Sequence, residues 1–514
     1  MRDDHRMGFS PDDDERKAWR ASKLWHMQFR TRKTAGWKPA LPNIYMKIKL
    51  ISTNQEKDPY PVMPLGMCLV GEATRKAGHQ VEMYDMTFRK KGHCVASWVE
   101  TPHDVIGISM RNLDNCDALY ASSYIPGVKK VIAEIRERSS APIVLGGAAM
   151  GVAPHALLQE VGADYGIVGE GEAAFVELLK RLDRGEDPSD VEGVVSPKAK
   201  ESYRQGEGFD ITENVWARIG DHFPVKPFLN YEGVYPVQSK RGCALKCVYC
   251  TYVNIEGKKY RLRDPNDVID EIADIRDRYH VREFEFVDST FNLPARYAMS
   301  LCREIARSQL KVSFFGTNIN PIHLESGLPE EMVRAGFRSV TCTVESASDR
   351  VLEGMKKGFN RQQAVQVARQ FQQAGLRVFW MFLMGGPGEN QDTVEETLEF
   401  IHKETGQRDV SLIIYGIRVY PNTGMETIAL AEGLIQRREE LLCPVFYMSP
   451  GLEHEWLKNR INRAIREDPR IFTSNQAQSA FIPFAQRALS WMKVKRPYWR
   501  FLPTINRVMN VYAR

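Results

Sequence analysis

Two successive series of short apolar segments, each alternating with amphipathic helical segments, limit what this 514-residue chain can fold into. In the first series, strand patterns at 47–51, 81–84, 105–109, 142–145 and 165–168 alternate with helical patterns at 65–77, 125–138, 154–161 and 173–182. In the second, strand patterns at 235–239, 283–287, 312–316, 339–344, 377–383 and 411–419 alternate with helical patterns at 265–279, 294–308, 329–335, 361–374 and 392–404. Alternation of this kind predicts an α/β protein whose parallel sheets are covered by helices. The first series predicts a doubly wound, Rossmann-like domain over 46–197. The second predicts a partial (β/α)6 barrel over 233–430. In both architectures ligands gather at the carboxyl ends of the strands. Residues 198–232 lose periodicity and read as a connector, and 431–514 read as a mainly helical C-terminal cap over the barrel mouth.

The bulk properties exclude several classes. Hydrophobic residues make up 43% of the chain and charged residues 26%, which suits a globular protein. A formal charge of +5 is too small to argue for a nucleic-acid partner, and none is expected. No run of 18 apolar residues predicts a spanning helix. Nine cysteines, three of them clustered, suit a reducing compartment, and a cytoplasmic location is expected. Residues 1–45 mix acidic and basic runs without an apolar h-region, and the expectation is a disordered extension or a start assigned too far upstream.

The stretch Arg241-Gly-Cys-Ala-Leu-Lys-Cys-Val-Tyr-Cys250 places three thiols, Cys243, Cys247 and Cys250, immediately after the first strand of the second series. A structural zinc site closes its shell with four protein ligands, and a four-iron cubane usually takes four thiolates. The next cysteine downstream is Cys302, far off in sequence. Three thiolates therefore leave one metal corner open for a non-protein ligand. The Cys-x3-Cys-x2-Cys spacing, with aromatic Tyr249 before the last thiol, resembles the cluster signature of radical S-adenosylmethionine enzymes. The resemblance implies a 4Fe–4S cluster on the three cysteines, S-adenosylmethionine on the open iron, and an electron donor such as flavodoxin or ferredoxin.

The resemblance extends along the second series. It places Asp288, after the second strand, near the methionine amino group. It places Glu345 and Ser346, ending the fourth strand, near the methionine or ribose end. Gly385 and Gly386, ending the fifth, pass beside the adenine with the Tyr249 backbone opposite. The usual Gly-Gly-Glu triplet after the second strand is absent. Arg418 points into the mouth or outward as an ion-pair partner, depending on strand register.

The first domain resembles the cobalamin-binding module that precedes many radical S-adenosylmethionine domains. Leu65-Gly66, Gly146-Gly147 and Gly169-Glu170-Gly171 carry this resemblance and are candidate cobalamin contacts, with Arg111 and Asn112 as candidate neighbours. Glycines there let backbone approach a bulky corrin. No Asp-x-His-x-x-Gly motif follows the first strand, and His79 reads as structural. Cys68, Cys94 and Cys116 allow an alternative, the second cluster of a methylthiotransferase, although Cys68 sits in an apolar helical pattern.

Together the motifs imply a cobalamin-dependent enzyme that transfers a methyl group to an unactivated carbon of a lipid, peptide or natural-product intermediate. Radical cyclisation or rearrangement without methyl transfer is a second reading, and a non-catalytic cobalamin-binding scaffold a third. After Asp468 no Asp or Glu follows, while Trp491, Tyr498 and Trp499 interleave with basic residues. That pattern allows peripheral contact with an anionic membrane.

Overall fold

The structure is a computed structural model. It describes residues 46–57, 60–89, 94–197, 211, 216–231, 233–436, 441–474, 488–489, 491–492, 494 and 496–512. The expected extension at 1–45 and most of the expected connector lie outside the described residues.

The N-terminal sheet has six strands. Their spatial order is Gln80–Asp85, Lys47–Ser52, Val105–Ser109, Ile143–Gly146, Tyr165–Ile167, Val194–Val195. The first five are parallel, and Val194–Val195 adds an antiparallel edge that two residues of sequence could not announce. Alternation along Lys47–Ser52 sends Ile48 and Leu50 into one core and Ile51 into a second, so the sheet is buried on both faces. Lys49 is buried as well, with its Nζ donating to Glu82 Oε2 (3.0 Å) and Trp98 O (2.7 Å). The chain reverses its winding between Lys47–Ser52 and Val105–Ser109, which is where a doubly wound sheet opens a crevice. His79 precedes the first residue of Gln80–Asp85 and so sits at the opposite edge, buried, and burial lowers its pKa.

The barrel strands are also parallel. Ser313–Phe314, Glu283–Phe286 and Tyr235–Val237 form one sheet. Thr317–Ile319, Ser339–Glu345, Arg377–Met384, Val410–Tyr415 and Ile471–Thr473 form the next. Two expected strands are broken. The third splits at Gly316 (φ +66°) and the sixth at Gly416 (φ +67°), beyond which Ile417–Arg418 pairs antiparallel with Phe446–Tyr447. The helices between strands are built for one-sided burial. Pro265–Tyr279, for example, is capped by Asp264, whose side chain accepts from Asn266 N, and it buries Val268, Glu271, Ile272 and Ile275 along one stripe. Each such buried aliphatic side chain stabilises the fold by about 1.5–3 kcal/mol.

The C-terminal region is mainly helical but contributes Ile471–Thr473 as a seventh barrel strand. Its two halves occupy opposite ends of the barrel. At the mouth, Ser449 N–H donates to Gly385 O (2.9 Å). At the other end, Trp499 packs edge-on against Phe379 at 5.7 Å, and Arg496 pairs with Glu283, the first residue of its strand, at 3.1 Å. The expected cap over the mouth therefore applies to the segment around 446–451. The basic and aromatic tail at 496–506 closes the bottom instead, because its aromatic side chain finds the apolar floor that Phe379 provides.

Candidate active site

The cysteine loop is shaped by backbone contacts. Gly242 has φ +88°, and a Cβ there would lie 2.0 Å from Lys259 O, so no side chain fits. Cys243 N–H donates to Gly257 O (3.1 Å), Val248 N–H to Met355 O (3.1 Å) and Cys250 N–H to Cys247 O (3.2 Å). Cys243 is buried, and Cys247 and Cys250 are half-buried. Burial, reinforced by the neighbouring thiols, pushes the Cys250 pKa up to about 12. Cys247 is raised by burial too, against the opposing pull of the Lys357 ammonium. Among the described residues no three His, Cys, Asp or Glu side chains stand close enough to hold a single metal ion. The donor set instead suits a cube of irons, which carries each thiolate on a separate corner.

The remaining barrel residues surround this loop in different ways. Asp288 is fully committed to protein: it accepts from Ser239 N (2.8 Å), Ser239 Oγ (2.5 Å) and Lys240 N (3.2 Å), and Lys240 Nζ lies 3.3 Å away. It therefore braces the approach to the cysteine loop. Glu345 sits at a register shift in its strand with φ +68°, an unfavourable conformation for a non-glycine residue that tends to mark functional sites. Tyr249 Oη donates to Glu345 Oε1 (2.8 Å), and buried Lys357 Nζ reaches both Tyr249 Oη (2.9 Å) and Glu345 Oε1 (3.3 Å). Burial alone would lower the Lys357 pKa, but the Glu345 carboxylate leaves it above its ordinary value. Ser346 is buried beside Thr397 (3.2 Å between hydroxyls). Gly385 and Gly386 donate their N–H groups to Glu389 Oε2, at 2.9 Å for Gly386. Glu389 is buried, its Oε1 finds no partner among the described residues, and burial raises its pKa to about 7. That unmet acceptor stands in the loop that the sequence resemblance assigns to adenine.

The loops of the N-terminal sheet press on the same region. Arg111 and Asn112 are exposed at the end of Val105–Ser109. Gly66 and Gly146 have nothing within 4 Å of an added Cβ, whereas Gly147 (φ +96°) lies against Met110 O. Leu65 begins the helix Leu65–Lys76 and is half-buried. Gly169 has φ +83°, and Gly171 opens the helix Gly171–Asp183. The Glu170 side chain is turned toward the barrel, where it pairs with Arg241 (3.2 Å) and Arg261 (2.7 Å). Asp114 joins the mouth through buried Arg418, whose Nε donates to Asp114 Oδ2 (2.7 Å), so the Arg418 side chain points inward as an ion-pair partner.

Glu285 lies on the barrel wall between the two sets of loops. Tyr60 Oη is 3.5 Å from its Oε2, and an added Cβ on Gly316 would lie 3.0 Å from Oε1. Burial pushes the Glu285 carboxyl up to about 7 against the opposing pull of Arg111 and Tyr60. Sequence reasoning missed Glu285, although Glu283-Phe-Glu-Phe286 alternates carboxylates with phenylalanines, the mark of a strand with one polar wall. It also missed Lys357, for which no pattern in one sequence gives a signal. Cys68, Cys94 and Cys116 go to separate surroundings: the helix core, Glu134 (3.6 Å) and Tyr420 Oη (2.9 Å).

The chain has counterparts among known proteins. Residues 54–179 match the B12 binding domain, and residues 237–401 match the radical SAM superfamily. The chain carries a B12 binding domain followed by a radical SAM domain. Relatives of this chain include an uncharacterised methyltransferase of Pyrococcus horikoshii, 26% identical over 386 residues that span 72% of this chain and 79% of the relative. The tryptophan 2-C-methyltransferase of Streptomyces laurentii is 23% identical across 74% of this chain and 73% of its own. Among solved structures, the methyltransferase TsrM from Kitasatospora setae, with cobalamin and a 4Fe–4S cluster bound, has a TM-score of 0.76 at 20% identity, covering 91% of this chain and 99% of that one. At that identity the likeness shows a shared fold. The residues present fit the implied groups. Cys243, Cys247 and Cys250 would hold the cluster. The unmet Glu389 oxygen and the loop at 385–386 suit a nucleoside, and the open glycines at the strand ends suit a corrin.

Proposed function

We propose that this protein transfers a methyl group from S-adenosylmethionine to an unactivated carbon of a small-molecule or lipid-like substrate, using cobalamin and a 4Fe–4S cluster. One observation carries the reading: the carboxyl-end loops of the N-terminal sheet meet the barrel at the cysteine loop and the strands beside it, through Asp114–Arg418, Tyr60–Glu285 and Glu170–Arg241. Methyl transfer needs the two reacting centres in one water-poor space, and the meeting of these loops supports that reading. When bound, the cluster with S-adenosylmethionine supplies a hydrogen-abstracting radical and cobalamin supplies the methyl group. The protein's residues orient and exclude water. Tyr249, Glu345 and Lys357 form a buried hydrogen-bonded floor beside the last two cysteines. Met448 lies over Gly385, where its Sδ would be 2.5 Å from an added Cβ, and so shields that loop from solvent.

An electron donor such as flavodoxin or ferredoxin is part of the same reading. So is peripheral contact of the C-terminal stretch with an anionic membrane. Trp491 is 85% exposed and Met492 56% exposed, whereas Trp499 is spent inside the barrel floor. Sedimentation with anionic vesicles should weaken in a Trp491→Ser, Met492→Ser double variant. Undiminished sedimentation would remove the membrane from the account.

The cluster assignment is tested directly by iron. Anaerobically reconstituted protein should hold one four-iron cluster and cleave S-adenosylmethionine reductively. Replacing Cys243, Cys247 and Cys250 with alanine should abolish both, and iron retained by that triple variant would sink the assignment.

A further inference from the structure

The residues that bracket the cysteines are gripped by the cobalamin-binding domain at both ends. Upstream, Arg241 stands two residues before Cys243, on a short antiparallel pair with Arg261–Leu262. Its Nη2 donates to Glu172 Oε1 (2.5 Å), and its Nη1 lies 3.2 Å from Glu170 Oε2. Arg261 joins the same carboxylate, with Nη1 donating to Glu170 Oε2 at 2.7 Å. The Arg241, Glu170 and Glu172 side chains are all buried. Downstream, the helical turn Tyr252–Ile255 begins two residues after Cys250. An added Cβ on Gly151 would lie 2.9 Å from the Ile255 side chain, and one on Gly169 would lie 3.4 Å from Ile255 O. The loops at 146–151 and 169–172 therefore touch the cysteine loop at its exit, and the second of them also anchors its start.

Buried ion pairs make such contacts rigid. Removing one partner leaves an uncompensated charge in a low-dielectric interior, so neither loop shifts without the other. A cofactor that orders one loop pre-pays part of the ordering entropy of the other.

We propose that Arg241, Glu170 and Glu172 form a positioning lock through which cluster binding and cobalamin binding reinforce each other. The lock rests on the assignment of the two cofactor sites given above. Coupling between sites is reciprocal, so each cofactor strengthens the other by the same factor.

Two measurements on the full chain test this without turnover. The first is the Kd of hydroxocobalamin, from absorbance titration, for protein with the reconstituted cluster and for protein stripped of iron. The second is the affinity for cluster iron, from chelator competition with and without hydroxocobalamin. The wild type should bind cobalamin about 5-fold or more tightly when the cluster is present, with a matching gain in iron affinity. Glu172→Gln, which removes the charge and keeps the shape, should bring both ratios toward one. A purely structural role for the lock would weaken both cofactors in that variant and leave the ratios unchanged. Equal cobalamin affinity in loaded and stripped wild type overturns the lock, as do unchanged ratios in a folded Glu172→Gln variant. If that variant does not fold, the wild-type ratio decides alone. Absence of cobalamin binding in both forms would instead overturn the cofactor assignment, and the lock with it.

Discussion

Single residues decide whether the cysteine loop can exist. Gly242 combines φ +88° with a Cβ position 2.0 Å from a backbone oxygen, so relief requires the backbone to move. Gly242→Ala should cost more than the roughly 1 kcal/mol of the conformational term alone and should lower cluster retention. Gly66→Ala, where nothing lies within 4 Å, provides the control. Iron content after reconstitution checks both, and a fully loaded Gly242→Ala protein would refute the argument. The three cysteines were legible from spacing because the chemistry of the loop is local. The partners that hold the loop were not: Arg241 meets Glu172 across 69 residues, and Lys357 meets Tyr249 across 108. Only folding brings those charges together.

At the level of elements, the loop at 385–389 links a strand end to a helix through one buried carboxyl. The pKa of Glu389 is raised to about 7 by burial, even though Gly385 and Gly386 donate to it. An acid whose folded pKa exceeds its unfolded value binds more protons when folded. Its stabilising contribution is therefore complete below about pH 4.5 and is lost as pH rises through 7. For the cofactor-free protein, the stability difference between wild type and Glu389→Gln should change across pH 5 to 8 by an amount bounded by about 3 kcal/mol. Thermal melts at the two ends of that range measure it, and parallel wild-type and variant profiles would contradict the shift. Apolar periodicity revealed most strands of both sheets, because each is flanked by a helix and lies in a packed wall. It did not reveal the breaks at Gly316 and Gly416, since the residues around each glycine still alternate as one strand. The glycines themselves were the available signal, because a lone glycine inside a strand marks a bend or a close approach. At Gly316 the close neighbour is Glu285. Ile471–Thr473 is three residues long and carries no period of its own.

For the whole molecule, the sequence indicated two successive domains, each with its ligands at the carboxyl ends of its strands, and the contacts between them give that order a geometry. Asp114 with Arg418, Tyr60 with Glu285, and Glu170 with Arg241 all join the carboxyl ends of one sheet to the cysteine loop and walls of the barrel. The loop at 385–389 is covered from the C-terminal segment through Ser449 and Gly451. On the proposed function, one methyl group travels from S-adenosylmethionine to substrate carbon and both domains are needed for it. The most direct measurement feeds methyl-deuterated S-adenosylmethionine to the reconstituted protein with extract from a strain lacking its gene, and follows the label into small molecules and lipids by mass spectrometry. The account predicts a carbon-methylated product that carries the label and appears only with cobalamin and intact Cys243, Cys247 and Cys250. A labelled product formed at full rate without cobalamin, or a modified product that carries no label, would contradict it.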